Sequence, residues 1–279
     1  LAAVDIGFIS FRLEVLRCDR ELIVRAESLQ ETVPLGAGLD VSSRLSSQSM
    51  RRGWDCLARF AERVRGFEPR RVRAVATQTV REARNRAEFE AGAQARLGFP
   101  IDVISGHEEA RLIYSGVSQF LPAGDESRLV FDIGGRSTEV ILGRGREPQR
   151  VESYRIGSVE LSLRYFADGR TSERAMRDAE VAAEAMLEDA AALLAGHPWQ
   201  AAYGASGTVG AVSDILRAMG QADGVITPDR LDELARLFVQ AGHVDRLQLP
   251  GLKDDRRAVI GGGLAVLRAI CRVLNLQRI

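Results

Sequence analysis

Two short stretches of the sequence combine a carboxylate, a glycine and a serine at one spacing: Asp5-Ile6-Gly7 followed by Ser10, and Asp132-Ile133-Gly134 followed by Ser137. Each ends an apolar run. A strand that enters such a turn and leaves as another strand points backbone N–H groups and a hydroxyl from the hairpin tip, a nest that binds phosphate oxygens. Gly7 and Ser10 in the first turn, and Gly134, Gly135, Arg136, Ser137 and Thr138 in the second, are candidate phosphate ligands. Asp5 and Asp132 are candidates for holding Mg2+ through water, because a small hard cation keeps much of its hydration shell. One copy would say little, since Asp-x-Gly is common in plain hairpins. Two copies nearly half a chain apart, each followed by further strand and helix patterns, indicate an internal duplication.

Ser105-Gly106-His107-Glu108-Glu109 sits where a strand pattern hands over to a helix pattern. Acidic residues there complement the helix dipole, which accounts for Glu108. Glu109 is the candidate base, since hydrolysis needs one within reach of the attacking water. Arg81 starts a helix beside a strand end, where its guanidinium is either a bidentate phosphate clamp or half of a surface ion pair. Gly204-Ala205-Ser206-Gly207-Thr208 follows a short strand and opens a helix. Glycines there let an anion approach the first N–H groups, so Ser206, Gly207 and Thr208 join the phosphate candidates, although a plain strand-to-helix turn reads the same. Gly261-Gly262-Gly263 serves close helix packing, the favoured reading, or a backbone approach to ligand. His107, His197 and His243 have no ligand spacing. Cys18, Cys56 and Cys271 lack the pairing of a zinc site or redox dithiol and read as buried free thiols. Trp54 and Trp199 read as core.

The elements that must carry these residues follow from periodicity. Leu1–Ile6 is an apolar strand, Phe11, Leu13 and Val15 alternate in a second, and Glu21–Leu29 reads as a third. Met50, Trp54, Leu57, Ala61 and Val64 mark one helix face, capped by a serine and ending near Gly66. Strand Val72–Ala76 precedes a helix near Glu82–Arg96, and strand Ile101–Ile104 precedes one at about Glu108–Phe120. Leu121–Ser127 reads as a linker, giving domains 1–124 and 125–279. Strands Leu129–Ile133, Glu139–Gly143 and Gln149–Ile156 follow, then a helix from Ser172 to Leu194 and another opened by Thr227-Pro228. Strands alternating with helices predict an α/β fold of mixed sheets flanked by helices.

Lys plus Arg and Asp plus Glu both number 38, so net charge gives no pull toward nucleic acid or membrane, and an anion site must be built locally. The apolar stretch Ala258–Val266 is too short to span a bilayer. Unpaired cysteines and the absence of a signal-peptide pattern suit the cytoplasm.

Taken together, the N-terminal Asp-Ile-Gly hairpin, Ala76–Ala83, Ile104–Ile113, Phe131–Glu139, Gly204–Thr208 and Arg257–Val266 resemble the exopolyphosphatase and guanosine pentaphosphate phosphohydrolase (Ppx/GppA) family nearly end to end, in its short two-domain form. The resemblance implies two ribonuclease-H-like domains of the actin, Hsp70 and sugar kinase superfamily, with the active cleft between them. It implies removal of terminal phosphate from inorganic polyphosphate, or from pppGpp to yield ppGpp in the stringent response, with Mg2+. It also implies that Glu109 matches the water-activating carboxylate, that Asp132 and Glu139 line the metal and catalytic region, and that Arg81 reaches substrate phosphate. A homodimer is compatible with the sequence.

The chain departs from the family pattern at two loops. Phe8 and Ile9 replace a small polar pair in the first turn, and Arg136 replaces a third glycine in the second. A side chain at a position of positive φ would cost on the order of 1 kcal/mol or more. A working hydrolase is the leading hypothesis, and a weakened regulator binding (p)ppGpp or phosphate is the second. An ATP-dependent kinase is disfavoured, because Thr77–Ala83 and Ser105–Arg111 match the phosphatase branch.

Overall fold

The computed structural model describes residues 1–19, 22–221 and 223–279. They form two compact units, Leu1–Gly106 and His107–Ile279.

In the first unit, β1 (Ala2–Ile6), β2 (Ser10–Asp19) and β3 (Leu22–Thr32) form an antiparallel meander. The expected third strand thus begins, among the described residues, at Leu22; Glu21 lies outside them. Helix α1 (Ser47–Val64) leads to β4 (Val72–Ala76), then α2 (Gln78–Glu82), α3 (Arg86–Leu97) and β5 (Ile101–Val103). The sheet order is β3-β2-β1-β4-β5, with β4 parallel to both β1 and β5. Alternation buries Ala2, Val4 and Ile6 of β1 in the core that also holds Met50, Leu57, Phe60 and Val64 of α1. Ser46 caps α1, accepting from Ser49 N at 3.2 Å. The helix expected near Glu82–Arg96 starts later, at Arg86, behind a separate short helix, α2. Ala83 is extended, and the Asn85 amide is bonded both ways to Leu45, accepting from its N (2.8 Å) and donating to its O (3.0 Å). That pins the chain to the serine-rich loop and separates α2 from α3.

The second unit begins with helix α4 (Gly106–Phe120), whose first residue closes the first unit. Strands β6 (Ser127–Ile133), β7 (Thr138–Arg144) and β8 (Glu147–Tyr154) form an antiparallel meander. Then come α5 (Ser158–Tyr165), α6 (Glu173–Leu194), β9 (Ala201–Ala205), α7 (Ser206–Ala218), α8 (Pro228–Gln240), the short α9 (Asp254–Arg257) and α10 (Ile260–Val273). The order is β8-β7-β6-β9, with β9 parallel to β6. One face of this sheet, through Leu129, Phe131, Ile133, Val140 and Leu142, meets the main core shared with α5, α6, α7 and α10. The other face carries Val130 and Ile141, packed with Ala110 and Tyr114 of α4. The expected boundary at 124 and 125 falls just beyond α4, while this packing gives the contact boundary at Gly106.

The two sheets repeat one plan: hairpin, third antiparallel strand, then a parallel strand beside the first. Both turns close with the same bond, Gly7 N to Ser10 O at 3.2 Å and Gly134 N to Ser137 O at 2.9 Å. The duplication read from the sequence therefore extends to topology. Gly261, Gly262 and Gly263 are buried in α10, where an added Cβ would lie 2.4 Å from the Phe238 ring, 2.2 Å from Ser158 O and 2.6 Å from Thr208 Cγ2. Close packing is their role. Cys56 and Cys271 are buried free thiols, while the side chain of Cys18 lies outside the description. Trp54 and Trp199 pack against the two main cores. No helix among the described residues is long and apolar enough to cross a membrane.

Candidate active site

The pleat of the second sheet sorts its loop-end side chains. Successive residues point to opposite faces, so Asp132 shares the α4 face with Val130, Glu139 with Ile141, and Ser153 with Val151. The direction of α4 follows from Tyr114, which packs on Gly143 and donates to Gly145 O at 3.1 Å. Ala110 and the first helical turn are thereby directed to the opposite end, where Asp132 and Glu139 stand opposite one another in register. The start of α4, which carries Glu109, and the ends of β6 and β7, which carry Asp132 and Glu139, lie at the same end of this sheet. Glu109 and Asp132 are half-buried, and Glu139 is only 1% exposed. Glu139 Oε1 accepts from Ser153 Oγ at 2.8 Å. His107 Nε2 lies 3.5 Å from Glu152 Oε1, and Glu108 pairs with Arg111 at 3.1 Å, the solvated first-turn role expected of it.

The second loop is braced from two sides. Ser158 N and Oγ donate to Gly134 O (2.9 and 3.1 Å), and Val159 N and Glu160 N donate to Gly135 O (2.9 and 3.1 Å). Ser206 Oγ (2.8 Å) and Thr208 Oγ1 (3.1 Å) both donate to Ile133 O. Those hydroxyl protons hold the loop. Ser206 adopts φ +80°, a conformation sparsely populated by residues with a side chain and costing about 1–3 kcal/mol. Gly207 is where a guanidinium comes in: an added Cβ would lie 2.8 Å from Arg256 Cζ. Thr138, expected among the phosphate ligands, has its hydroxyl engaged within the protein. It is 0% exposed and its hydroxyl donates to Ile156 O at 2.7 Å, on the core face of the sheet, so it braces the loop from behind. Ser137 is buried, and Gly134, Gly135 and Arg136 are half-buried. Arg136 is not among the described residues of positive φ, so the substitution there carries no left-handed strain.

In the first unit, Gly7 and Ser10 close their own turn. The bulk of Phe8 is taken up locally: its ring packs on Gly36, where a Cβ would come within 2.0 Å, and Gly36 N donates to Phe8 O at 3.1 Å. Asp5 pairs in register with Arg12 and is open to solvent on the pleat opposite Val4 and Ile6. Surrounding protein nonetheless pushes its carboxyl up to about 6, with the Arg12 guanidinium opposing. Arg81 Nη1 donates to Ile104 O at 2.6 Å, which supports the turn entering Ser105–Glu109, a role beside the two expected for it.

A divalent cation can be tested against these donors. Among the described residues no cluster of three or more His, Cys, Asp or Glu is built to hold a metal, so a dedicated protein cage is not present there. Asp132 and Glu139, however, stand directly opposite one another across an antiparallel pair, which puts two carboxyl groups on one face of the sheet. One or two carboxylates, with water and substrate oxygens, is the donor set that suits Mg2+. The residues fit such an ion.

Sequence reasoning missed Ser153, Gly157 and Ser158. The Gly157-Ser158 dipeptide before an apolar-periodic run was a readable helix start, whereas Ser153 carries no motif.

The Ppx/GppA phosphatase family model matches residues 15–279. The chain is similar to the crystal structure of an exopolyphosphatase from Cytophaga hutchinsonii, at 21% identity and a TM-score of 0.87 over 99% of this chain and 91% of that one. The Aquifex aeolicus Ppx-GppA enzyme matches at 22% identity and a TM-score of 0.80, covering 100% and 93%. A PilM–PilN type IV pilus biogenesis complex matches at 14% identity and a TM-score of 0.52 over 98% of each chain, a likeness of fold.

Proposed function

Because the chain belongs to the Ppx/GppA phosphatase family, we propose that it removes terminal phosphate from inorganic polyphosphate or pppGpp by attack of water on the terminal phosphorus. What supports this reading is that the start of α4, with Glu109, and the ends of β6 and β7, with Asp132 and Glu139, share the end of the sheet that turns through the loop braced by Ser158, Ser206 and Thr208. Glu109 serves as general base and accepts the proton of the attacking water, a contribution of roughly 10²–10⁴ in rate. Asp132 and Glu139 would hold a divalent cation, proposed to be Mg2+, which when bound supplies positive charge against the phosphoryl oxygens. Arg136 and the loop at Gly134, Gly135 and Ser137 orient the phosphates, and a guanidinium there suits bidentate contact. In the matching turn of the first unit, Asp5 is proposed to hold a cation and Gly7 and Ser10 to contact phosphate, as is Arg81. Ser206, Gly207 and Thr208 support the second loop and offer a helix N-terminus to an anion. Products are inorganic phosphate and the shortened chain or ppGpp.

The second reading, a weakened regulator binding (p)ppGpp or phosphate, is motivated by Phe8 and Ile9 in the first turn and Arg136 in the second; Phe8 packs on Gly36 and Arg136 is not at positive φ, so the altered polar groups rather than backbone strain carry it. Buried free thiols at Cys56 and Cys271 suit work in a reducing cytoplasm. The test is phosphate release from polyphosphate and from pppGpp with Mg2+, comparing the native enzyme with Glu109→Gln. A fall of about 100-fold or more is expected. Equal rates, or none in the native enzyme, would overturn the proposal. The same assay selects the substrate.

A further inference from the structure

Glu139 is an enclosed carboxylate, and removing a carboxylate from water is costly unless hydrogen bonds replace its hydration. Ser153 stands directly opposite it in the β7–β8 register, on the same α4-facing side of the sheet. Its hydroxyl donates to Glu139 Oε1 at 2.8 Å. The neighbouring residue on β8, Glu152, meets His107 Nε2 at 3.5 Å, two residues before Glu109. The edge strand β8 thus touches both the Glu139 side chain and the helical turn that carries Glu109.

We propose that Ser153 is a positioning residue, its hydroxyl fixing the orientation of the Glu139 carboxylate so that Glu139 and Asp132 present a defined oxygen pair to a divalent cation. The inference rests on reading Glu139 as an active-site carboxylate. Ser153 itself touches neither cation nor substrate. A strand side chain held by a short hydrogen bond has fewer rotamers to lose when a ligand arrives.

The Thr and Val variants decide the question, because they have the same shape and differ in one hydroxyl. Ser153 is half-buried on an edge strand, where β-branched residues are well accommodated. Phosphate release gives kcat and KM for Ser153→Thr and Ser153→Val, and the paramagnetic signal of free Mn2+ gives metal affinity without substrate. Leaving a buried carboxyl oxygen without this hydrogen bond predicts a fall of roughly 10- to 100-fold in kcat for Val, with KM changed by no more than about twofold and weaker Mn2+ binding. Thr is expected to retain kcat and Mn2+ affinity close to the native values. Val and Thr with equal kcat and equal Mn2+ affinity would overturn the proposal. Should the added methyl groups unfold both variants, Ser153→Ala against the native protein carries the same comparison. A native enzyme that releases no phosphate overturns the hydrolase reading instead, and the Mn2+ measurement then still decides whether Ser153 serves Glu139.

Discussion

Gly157→Ala puts the architecture of the second loop to a severe test. Gly157 is buried between β8 and α5, with φ −157° and ψ 173°, extended backbone that alanine also adopts. The cost is therefore steric. An added Cβ would lie 2.4 Å from Gly135 C and 2.5 Å from both Arg136 N and Gly135 O, all backbone atoms that cannot rotate away. Relief to ordinary contact, about 3.4 Å, requires the loop or the start of α5 to retreat by about 1 Å. That shift strains the bonds from Ser158, Val159 and Glu160 that hold the loop carbonyls. Overpacking of this kind costs about 1–3 kcal/mol, and each kcal/mol lowers Tm by roughly 2–4 °C for a domain of this size. Catalysis is expected to suffer more, since a 1 Å misplacement can cost about 100-fold. Thermal unfolding and phosphate release measure the two effects. Gly210→Ala in α7 is the control, because nothing lies within 4 Å of its Cβ, and it should gain about 0.5–1 kcal/mol. A Gly157→Ala protein with native Tm and native kcat would refute the reasoning.

Two further outcomes are expected. Glu180 is buried between Arg268 and Arg272, the latter at 2.7 Å, and Glu180→Gln should cost about 3 kcal/mol, the low end for a buried pair, because Arg268 keeps Asp232 and Arg272 keeps Glu184. Exposed Glu173→Gln should cost less than about 1 kcal/mol, and denaturant unfolding of the two variants side by side checks the ordering. Asp5, raised from 3.8 to about 6, binds more protons in the native than in the unfolded state. Its contribution is fully present below pH 3.8 and is lost as pH rises through about 6. Asp5→Asn should flatten that part of the Tm against pH curve, and an unchanged slope would contradict the assignment.

Periodicity and local chemistry made most of the scaffold legible. Ser46, Ser172 and Thr227 cap the helices where serine or threonine precedes an apolar face, and Thr227 is followed by Pro228 at the first helical position. The repeated Asp-Ile-Gly turn announced two sheets of one plan, because its turn-closing bond is local to four residues. The helix across Ala83–Asn85 was misread because what breaks it, the backbone of Leu45, lies 40 residues away along the chain.

The residue types of the proposed phosphate site, Glu109, Asp132, Glu139 and the glycine loops, are written in the linear order, because strand-turn-strand and helix-start chemistry depends on near neighbours. Their division of labour was set by packing. Thr138 and Glu139 are adjacent, yet the pleat sends one hydroxyl to the core and one carboxylate to the α4 face. Ser153 meets Glu139 through cross-strand register, and Phe8 finds Gly36 through a turn that no spacing rule announces. Such contacts join residues distant in the chain, so they exist only once the sheets are paired and the helices laid on them.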